Sequence, residues 1–163
     1  MSTAPPSQSC ALTTAQKFIS HFTTFNASIL HPILSETYTH EFRPLSLNPP
    51  GPFGRTGFLN HVGGLSDVMT GFPVYADEYI EGNDGTTVIV RATSKTQFKE
   101  EVKDPGLSRE EWEYAGEYVF FFEMDEAGEK VVRCVEFLDS MATVGLLELV
   151  KRARGNLERL QMG

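Results

Sequence analysis

The chain has few cysteines, few basic residues and no long apolar run. Its two cysteines, Cys10 and Cys134, are too few for a disulfide framework. No segment approaches the roughly 20 consecutive apolar residues that a membrane span needs. The start of the chain has neither the basic residues nor the apolar run of a secretory signal. We therefore expect a cytoplasmic protein with no membrane partner.

The charge balance excludes a further class of partner. There are 14 Lys and Arg residues against 22 Asp and Glu residues, a net charge of −8. Because nucleic acid attracts clustered Lys and Arg, we expect no nucleic-acid partner. The four histidines, at positions 21, 31, 40 and 61, lack the spacing of a zinc site. No Gly-rich phosphate loop follows a strand, so we expect neither a metal nor a cofactor.

The length of 163 residues fits one domain. Residues 1–10 include Ser and Pro residues and are expected to form a mobile tail, which leaves 11–163 as a single domain. Apolar residues recur every three or four positions in the predicted helices, which are 13–25, 28–34, 56–69 and 143–160. Predicted strands, rich in β-branched and aromatic residues, are 38–44, 74–81, 86–99, 111–124 and 131–139.

Turn residues separate neighbouring strands at 83–85 and 125–128, where a glycine can supply positive φ. Helices segregated from consecutive strands predict an α+β fold. We expect a curved antiparallel sheet wrapped around the N-terminal helices, followed by a C-terminal helix. Such a cone has a mouth that suits a small molecule.

Two parts of the chain resemble a known family. Residues 72–73, 79–82 and 87–93 resemble the core pattern of the SnoaL-like polyketide cyclases of the NTF2-like superfamily, and 128–139 resembles the last strand. The resemblance extends from about Phe18 to Asp139 and implies the NTF2-like cone. It does not fix a reaction, since the superfamily includes isomerases, dehydratases, aldol cyclases and non-catalytic binding modules.

A narrower resemblance concerns four polar residues. Arg43, Tyr114, Tyr118 and Glu136 are similar to the polar set of fungal NTF2-like isomerases of secondary metabolism. Those semipinacolases, of the brevianamide type, convert an oxidised prenylated indole alkaloid to a spiro-indoxyl. The resemblance implies a cofactor-independent isomerase whose substrate is an apolar polycyclic small molecule, with these four residues as the catalytic set.

The third long strand carries an aromatic series. Tyr114 and Tyr118 are four positions apart and share one face of a regular strand with Trp112, Phe120 and Phe122. Facing a cavity, these side chains would bind a flat substrate and offer two hydroxyl groups. The alternative is that they are ordinary core aromatics of a sheet packed on both faces.

Glu136 interrupts an apolar strand. A carboxyl group is costly to bury unless it is paired, and a buried carboxyl suits a general acid or base. Arg43 is the expected cationic partner. However, Glu41 shares a strand face with Arg43, so Glu41 could be the true partner of Arg43, which would leave Arg43 structural. Glu136 itself could also lie in a salt bridge or at an exposed edge.

Two histidines give a second hypothesis. His40 or His61 could act with Asp139 as the acid–base pair of a polyketide or terpenoid cyclase or dehydratase, and His61 could also contact substrate from the third helix. Strand parity places His40 and Arg43 on opposite faces, so at most one of them lines a pocket. A third hypothesis is a non-catalytic small-molecule-binding module.

Apolar residues also occupy the opposite face of the sheet, at Val119, Phe121, Val135 and Phe137. Each apolar face of a sheet must pack against other residues to be shielded from water. In a homodimer, a second copy of the chain would shield this face.

Overall fold

The N-terminal helices form one layer of the fold. The computed structural model describes residues 8–163. Residues 1–7 of the predicted tail lie outside the described residues, but the predicted boundary at residue 10 is wrong: Ser9 caps the first helix and Cys10 begins it. The α-helices are α1 (Cys10–Ser20), α2 (Ala27–Leu30), α3 (Arg55–Leu65) and α4 (Ser140–Met162).

Eight strands form two sheets. They are β1 (Leu34–Arg43), β2 (Phe53–Gly54), β3 (Met69–Gly71), β4 (Val74–Glu81), β5 (Thr87–Lys95), β6 (Gln97–Phe98), β7 (Ala115–Met124) and β8 (Val131–Leu138). The large sheet has the order β2-β1-β8-β7-β5-β4, and β3 pairs with β6. The predicted α+β class and the curved sheet are confirmed. One pairing differs from an antiparallel sheet, because β1 runs parallel to β8.

The hairpin turns have the predicted chemistry. Gly85 and Gly128 both adopt φ of 72°, a left-handed conformation that favours glycine. The Asp84 carboxylate accepts the backbone N–H groups of Thr86 and Thr87, both at 2.9 Å. These bonds fix the β4–β5 turn and hence the register of the two strands.

The predicted strands 86–99 and 111–124 are both too long. β5 ends at Lys95, and Phe98 then pairs with Met69 in the small sheet. A 3-10 turn, Glu110–Trp112, precedes β7. Trp112 therefore lies outside the strand that was expected to carry it.

The core fills the space between the inner sheet face and α1. Along β7 the buried residues alternate with exposed ones, and Phe120 and Phe122 are fully buried. The Phe18 ring of α1 packs edge-on against Phe122 at 4.9 Å. Burial of each such side chain contributes roughly 2–3 kcal/mol.

None of the helices within residues 8–163 is long and apolar enough to cross a membrane.

Candidate functional site

A cavity of about 340 Å³ lies where the inner sheet face meets α3 and α4. Its walls are mainly apolar, and they include five phenylalanine rings and the Tyr118 ring, which line the space without filling it. The lining residues are Phe22, Phe25, Phe42, Pro50, Phe58, His61, Val62, Leu65, Met69, Phe72, Tyr118, Glu136, Leu138, Thr143, Leu146, Leu147, Val150 and Arg154. An apolar chamber with a few convergent polar groups is typical of a small-molecule site.

Glu136 provides the carboxylate of this cavity. The residue is only 5% exposed, and its Oε2 lies 3.1 Å from His40 Nε2. The parallel register places Phe42 beside Glu136 and His40 beside Cys134, so the His40 and Glu136 side chains share the inner face. A buried carboxylate with a hydrogen-bond partner avoids most of the cost of burial.

His40 is held on three sides. The Tyr38 hydroxyl lies 2.7 Å from Nδ1 of His40, and the Phe58 ring stacks on the imidazole at 4.1 Å. A carboxylate only accepts hydrogen bonds, so we assign the proton to Nε2, and the Tyr38 hydroxyl then donates to Nδ1. Burial raises the pKa of Tyr38 well above its usual range, which keeps this hydroxyl a donor. The three side chains thus form a chain of hydrogen bonds that ends at the cavity.

The tyrosine pair lies on the same inner face. Tyr118 lines the cavity, and its hydroxyl is 2.5 Å from that of Tyr114. Burial raises the pKa of both phenols, so both stay protonated at neutral pH. Gly116 lies between them, where a Cβ would overlap the Tyr114 hydroxyl. The glycine leaves the space in which the two hydroxyl groups meet.

His61 reaches the cavity from α3, as expected, and stacks on Phe53 at 5.1 Å. Burial is the main cause that lowers its pKa to about 4, and the charges of His40 and Arg154 contribute. His61 is therefore neutral at pH 7.

Arg43 does not lie in the cavity. Its guanidinium donates to Glu41 at 2.8 Å, and Glu41 also accepts from Arg133 at 3.3 Å. These groups lie on the outer face because side chains alternate along β1. The expected Arg43–Glu136 pair is wrong, and the alternative pairing of Arg43 with Glu41 is confirmed.

The expected aromatic wall is only partly exposed to the cavity. Phe120 and Phe122 share the inner face with Tyr118, but α1 and the turn after it cover them, and they do not line the cavity. Trp112 is buried against Phe98 at 5.3 Å. The structure thus places these three predicted substrate contacts in the core.

Asp139 is not the partner of a histidine. Its carboxylate caps α4 by accepting from the backbone N–H of Ala142 at 3.0 Å. The acidic partner of His40 is Glu136 instead. Within residues 8–163, no three His, Cys, Asp or Glu side chains cluster closely enough to hold a metal ion.

Sequence reasoning missed several residues of this site. The alternation of Tyr38 and His40 along β1 was the available signal for the inner hydrogen-bond chain, but the parallel pairing that brings it to Glu136 was not predicted. Thr143 and Arg154 enter the cavity from α4. No local pattern in the sequence shows which face of that helix meets the sheet.

The comparisons with known proteins concern structure. No family model matches the chain, and no curated protein matches its sequence. Among solved structures, AusH from Aspergillus nidulans is 23% identical with a TM-score of 0.66, over 83% of this chain and 88% of that one. The BvnE pinacolase from Penicillium brevicompactum is 18% identical with a TM-score of 0.70, over 91% of this chain and 95% of that one.

A third match links the architecture to a named fold. An NTF2-like protein of unknown function from Burkholderia pseudomallei is 11% identical with a TM-score of 0.64, over 84% of this chain and 96% of that one. Identities this low relate folds and not reactions. With its curved sheet wrapped around the N-terminal helices and closed over by α4, the chain has the NTF2-like fold.

Proposed function

We propose that the chain is a cofactor-independent isomerase of fungal secondary metabolism that rearranges an oxidised prenylated indole alkaloid to a spiro-indoxyl. The observation that carries the proposal is Glu136, a buried carboxylate that faces an apolar cavity and is backed by a buried histidine. The sequence resemblance supports the reaction type. The fold similarity to a pinacolase and to AusH, both from fungi, is consistent with it.

The reaction needs a base and a shaped chamber. In a 3-hydroxyindolenine, Glu136 accepts the hydroxyl proton as the C–O bond becomes a carbonyl. One carbon migrates to the neighbouring imine carbon, so one C–C bond breaks and one forms. The proton that Glu136 accepted returns to the substrate at the ring nitrogen, so the product is an isomer of the substrate. The same rearrangement can follow from an indole epoxide after the oxygen is protonated and its ring opens.

Each polar group of the cavity has a role in this scheme. His40 donates to Glu136 and orients its carboxylate as an acceptor. With Tyr114 as the donor within the tyrosine pair, the Tyr118 hydroxyl is free to donate to the nitrogen that gains the proton. The apolar walls select one of the possible migrations by orienting the flat substrate.

The test is product analysis with candidate oxidised indole alkaloids. We expect Glu136→Gln to lower kcat by about 10²–10⁴-fold, because the amide cannot accept the proton. Glu41→Gln is the matched control, since it removes a carboxylate from the outer face of the neighbouring strand. Full turnover and an unchanged product ratio in Glu136→Gln would contradict the proposal.

A second candidate function is supported by the His40–Glu136 pair itself. A buried histidine and carboxylate in one cavity can also abstract and return protons in an aldol cyclisation or a dehydration. Mass spectrometry distinguishes a dehydratase, whose product loses one water. An aldol cyclase would accept polyketide or terpenoid substrates in place of the indole. A non-catalytic module has less support, because the phenylalanine rings line the cavity but leave it open.

A further inference from the structure

Arg154 is an exposed cation at the cavity, on a face of α4 that is mostly apolar. It lines the cavity from α4, in a protein whose net charge is −8. Among residues 8–163 it makes no ion pair and no hydrogen bond, although Glu158 follows one turn later on α4 and Glu136 lines the same cavity. Its charge reaches the cavity, because it contributes to the low pKa of His61.

A second polar group on the same face of α4 also lacks a partner. Thr143 is 6% exposed and lines the cavity, and its hydroxyl lies near that of Tyr114 but makes no hydrogen bond of good geometry within the described residues. Thr143 and Arg154 are eleven residues apart, close to three helical turns, so they share one face about 16 Å apart along the axis. Leu147 and Val150 lie between them and also line the cavity. This stripe is polar at both ends and apolar in the middle.

We infer that the cavity binds elongated apolar molecules that carry an acidic group, a carboxylate or an acidic enol, with Arg154 as the group that recognises the acid. The inference does not depend on the proposed function, because a 3-hydroxyindolenine carries no acidic group of this kind and the binding step needs no turnover. Arginine suits this role because its planar guanidinium donates two parallel hydrogen bonds to a carboxylate. The apolar stripe would contact the body of the ligand, and the free Thr143 hydroxyl would bond to a polar group at the opposite end.

A pair of fluorescent probes tests the inference without the substrate. 8-Anilinonaphthalene-1-sulfonate and N-phenyl-1-naphthylamine share one apolar skeleton and differ by the anionic group. We expect the wild-type protein to bind the sulfonate about tenfold more tightly than the neutral amine, as for a charge-assisted hydrogen bond. Arg154→Gln should abolish that preference and leave the affinity for the neutral amine unchanged.

Lys151→Gln is the matched control, because it removes one exposed positive charge from α4 without touching the cavity. An equal loss of sulfonate affinity in both variants would show a general charge effect and overturn the inference. Failure of the wild-type protein to bind the sulfonate, or binding of both probes with equal affinity, would overturn it as well. The isomerase proposal is tested by product analysis and this inference by probe affinity, so failure of one is distinguishable from failure of the other.

Discussion

At the scale of single residues, the site depends on the direction of hydrogen bonds. Tyr38, His40 and Glu136 are all buried, and each link joins one donor to one acceptor. A histidine fixed on one side by a donor presents its N–H on the other side. Tyr38 therefore acts on Glu136 through the imidazole, as a positioning residue that need not touch substrate.

Tyr38→Phe tests this chain of bonds. Without the phenol, Nδ1 of His40 has no donor, and the imidazole can take the tautomer that turns a lone pair towards Glu136. We expect kcat to fall about tenfold with KM unchanged, because Tyr38 acts on the reacting carboxylate only through the imidazole and need not touch substrate. The readout is this split between a lower kcat and an unchanged KM, since a general loss of packing would change both.

Tyr75→Phe is the matched control, since Tyr75 is 54% exposed on β4. It should leave both kcat and KM unchanged. A Tyr38→Phe enzyme with the wild-type kcat would limit Tyr38 to a packing role.

At the scale of elements, α4 completes the cavity and is fixed near its C-terminal end. Asn156 donates to the carbonyl of Val102 at 2.8 Å and to Asp104 at 2.7 Å. Arg152 donates twice to the same carboxylate, at 2.7 and 2.6 Å. These hydrogen bonds, with that of Arg152 first, hold the pKa of Asp104 well below its usual range.

Asn156→Ala should loosen this attachment. The Val102 carbonyl would lose its buried donor, which costs about 1–3 kcal/mol of the free energy of unfolding. Because α4 forms one wall of the cavity, the affinity for N-phenyl-1-naphthylamine should also fall. Urea unfolding and the fluorescence titration measure the two effects. Gln161→Ala, at an exposed position of the same helix, is expected to change the unfolding free energy by less than about 0.5 kcal/mol.

The elements also show how far sequence reasoning reaches. The class, the hairpin turns and the inner face of β7 were predictable, because period-two burial and glycine turns are local signals. The Arg43–Glu136 pair is wrong, and strand parity, which places Glu41 on the face of Arg43, was the local signal for the correct partner. The Glu136–His40 pair depends on the parallel pairing of β1 with β8, two segments far apart in sequence, and no local pattern encodes that register.

At the scale of the whole molecule, two buried histidines link stability to pH. Burial is the largest cause that lowers the pKa of both His21 and His61 from 6.5 to about 4. Between these values the unfolded chain binds more protons than the folded one, so the free energy of unfolding rises with pH across this window. The stability that comes from keeping these histidines neutral is present in full above pH 6.5 and is lost as the pH falls towards 4.

Urea unfolding at pH 5 and pH 7 measures this dependence. We expect the wild-type protein to be less stable at pH 5. His21→Asn should reduce the difference, because the amide can replace Nδ1 as donor to the Phe18 carbonyl but does not titrate. If the variant keeps the full wild-type difference in unfolding free energy between pH 5 and pH 7, groups other than His21 cause the pH dependence.

The exposed apolar residues of the outer sheet face are the basis for predicting a homodimer. Phe121 and Phe137 are 38% and 43% exposed, and their rings contact edge-on with centroids 5.9 Å apart. Ile80, on edge strand β4, is half exposed and extends the same face through Ile89, which pairs with Phe121. A stable dimer buries about 800 Å² on each partner, and an apolar sheet face of this kind can supply the centre of such an interface.

Sedimentation at micromolar concentration tests this prediction. We expect a dimer for the wild-type protein and a monomer for Phe137→Lys, because two lysines brought together in a symmetric interface would repel each other and lose solvent. Leu160→Lys alters another exposed apolar residue, near the end of α4, and should leave the dimer intact. A monomeric wild-type protein would show that no second copy shields this face, and it would contradict the prediction. A dimer that survives Phe137→Lys would place the interface on another surface of the molecule.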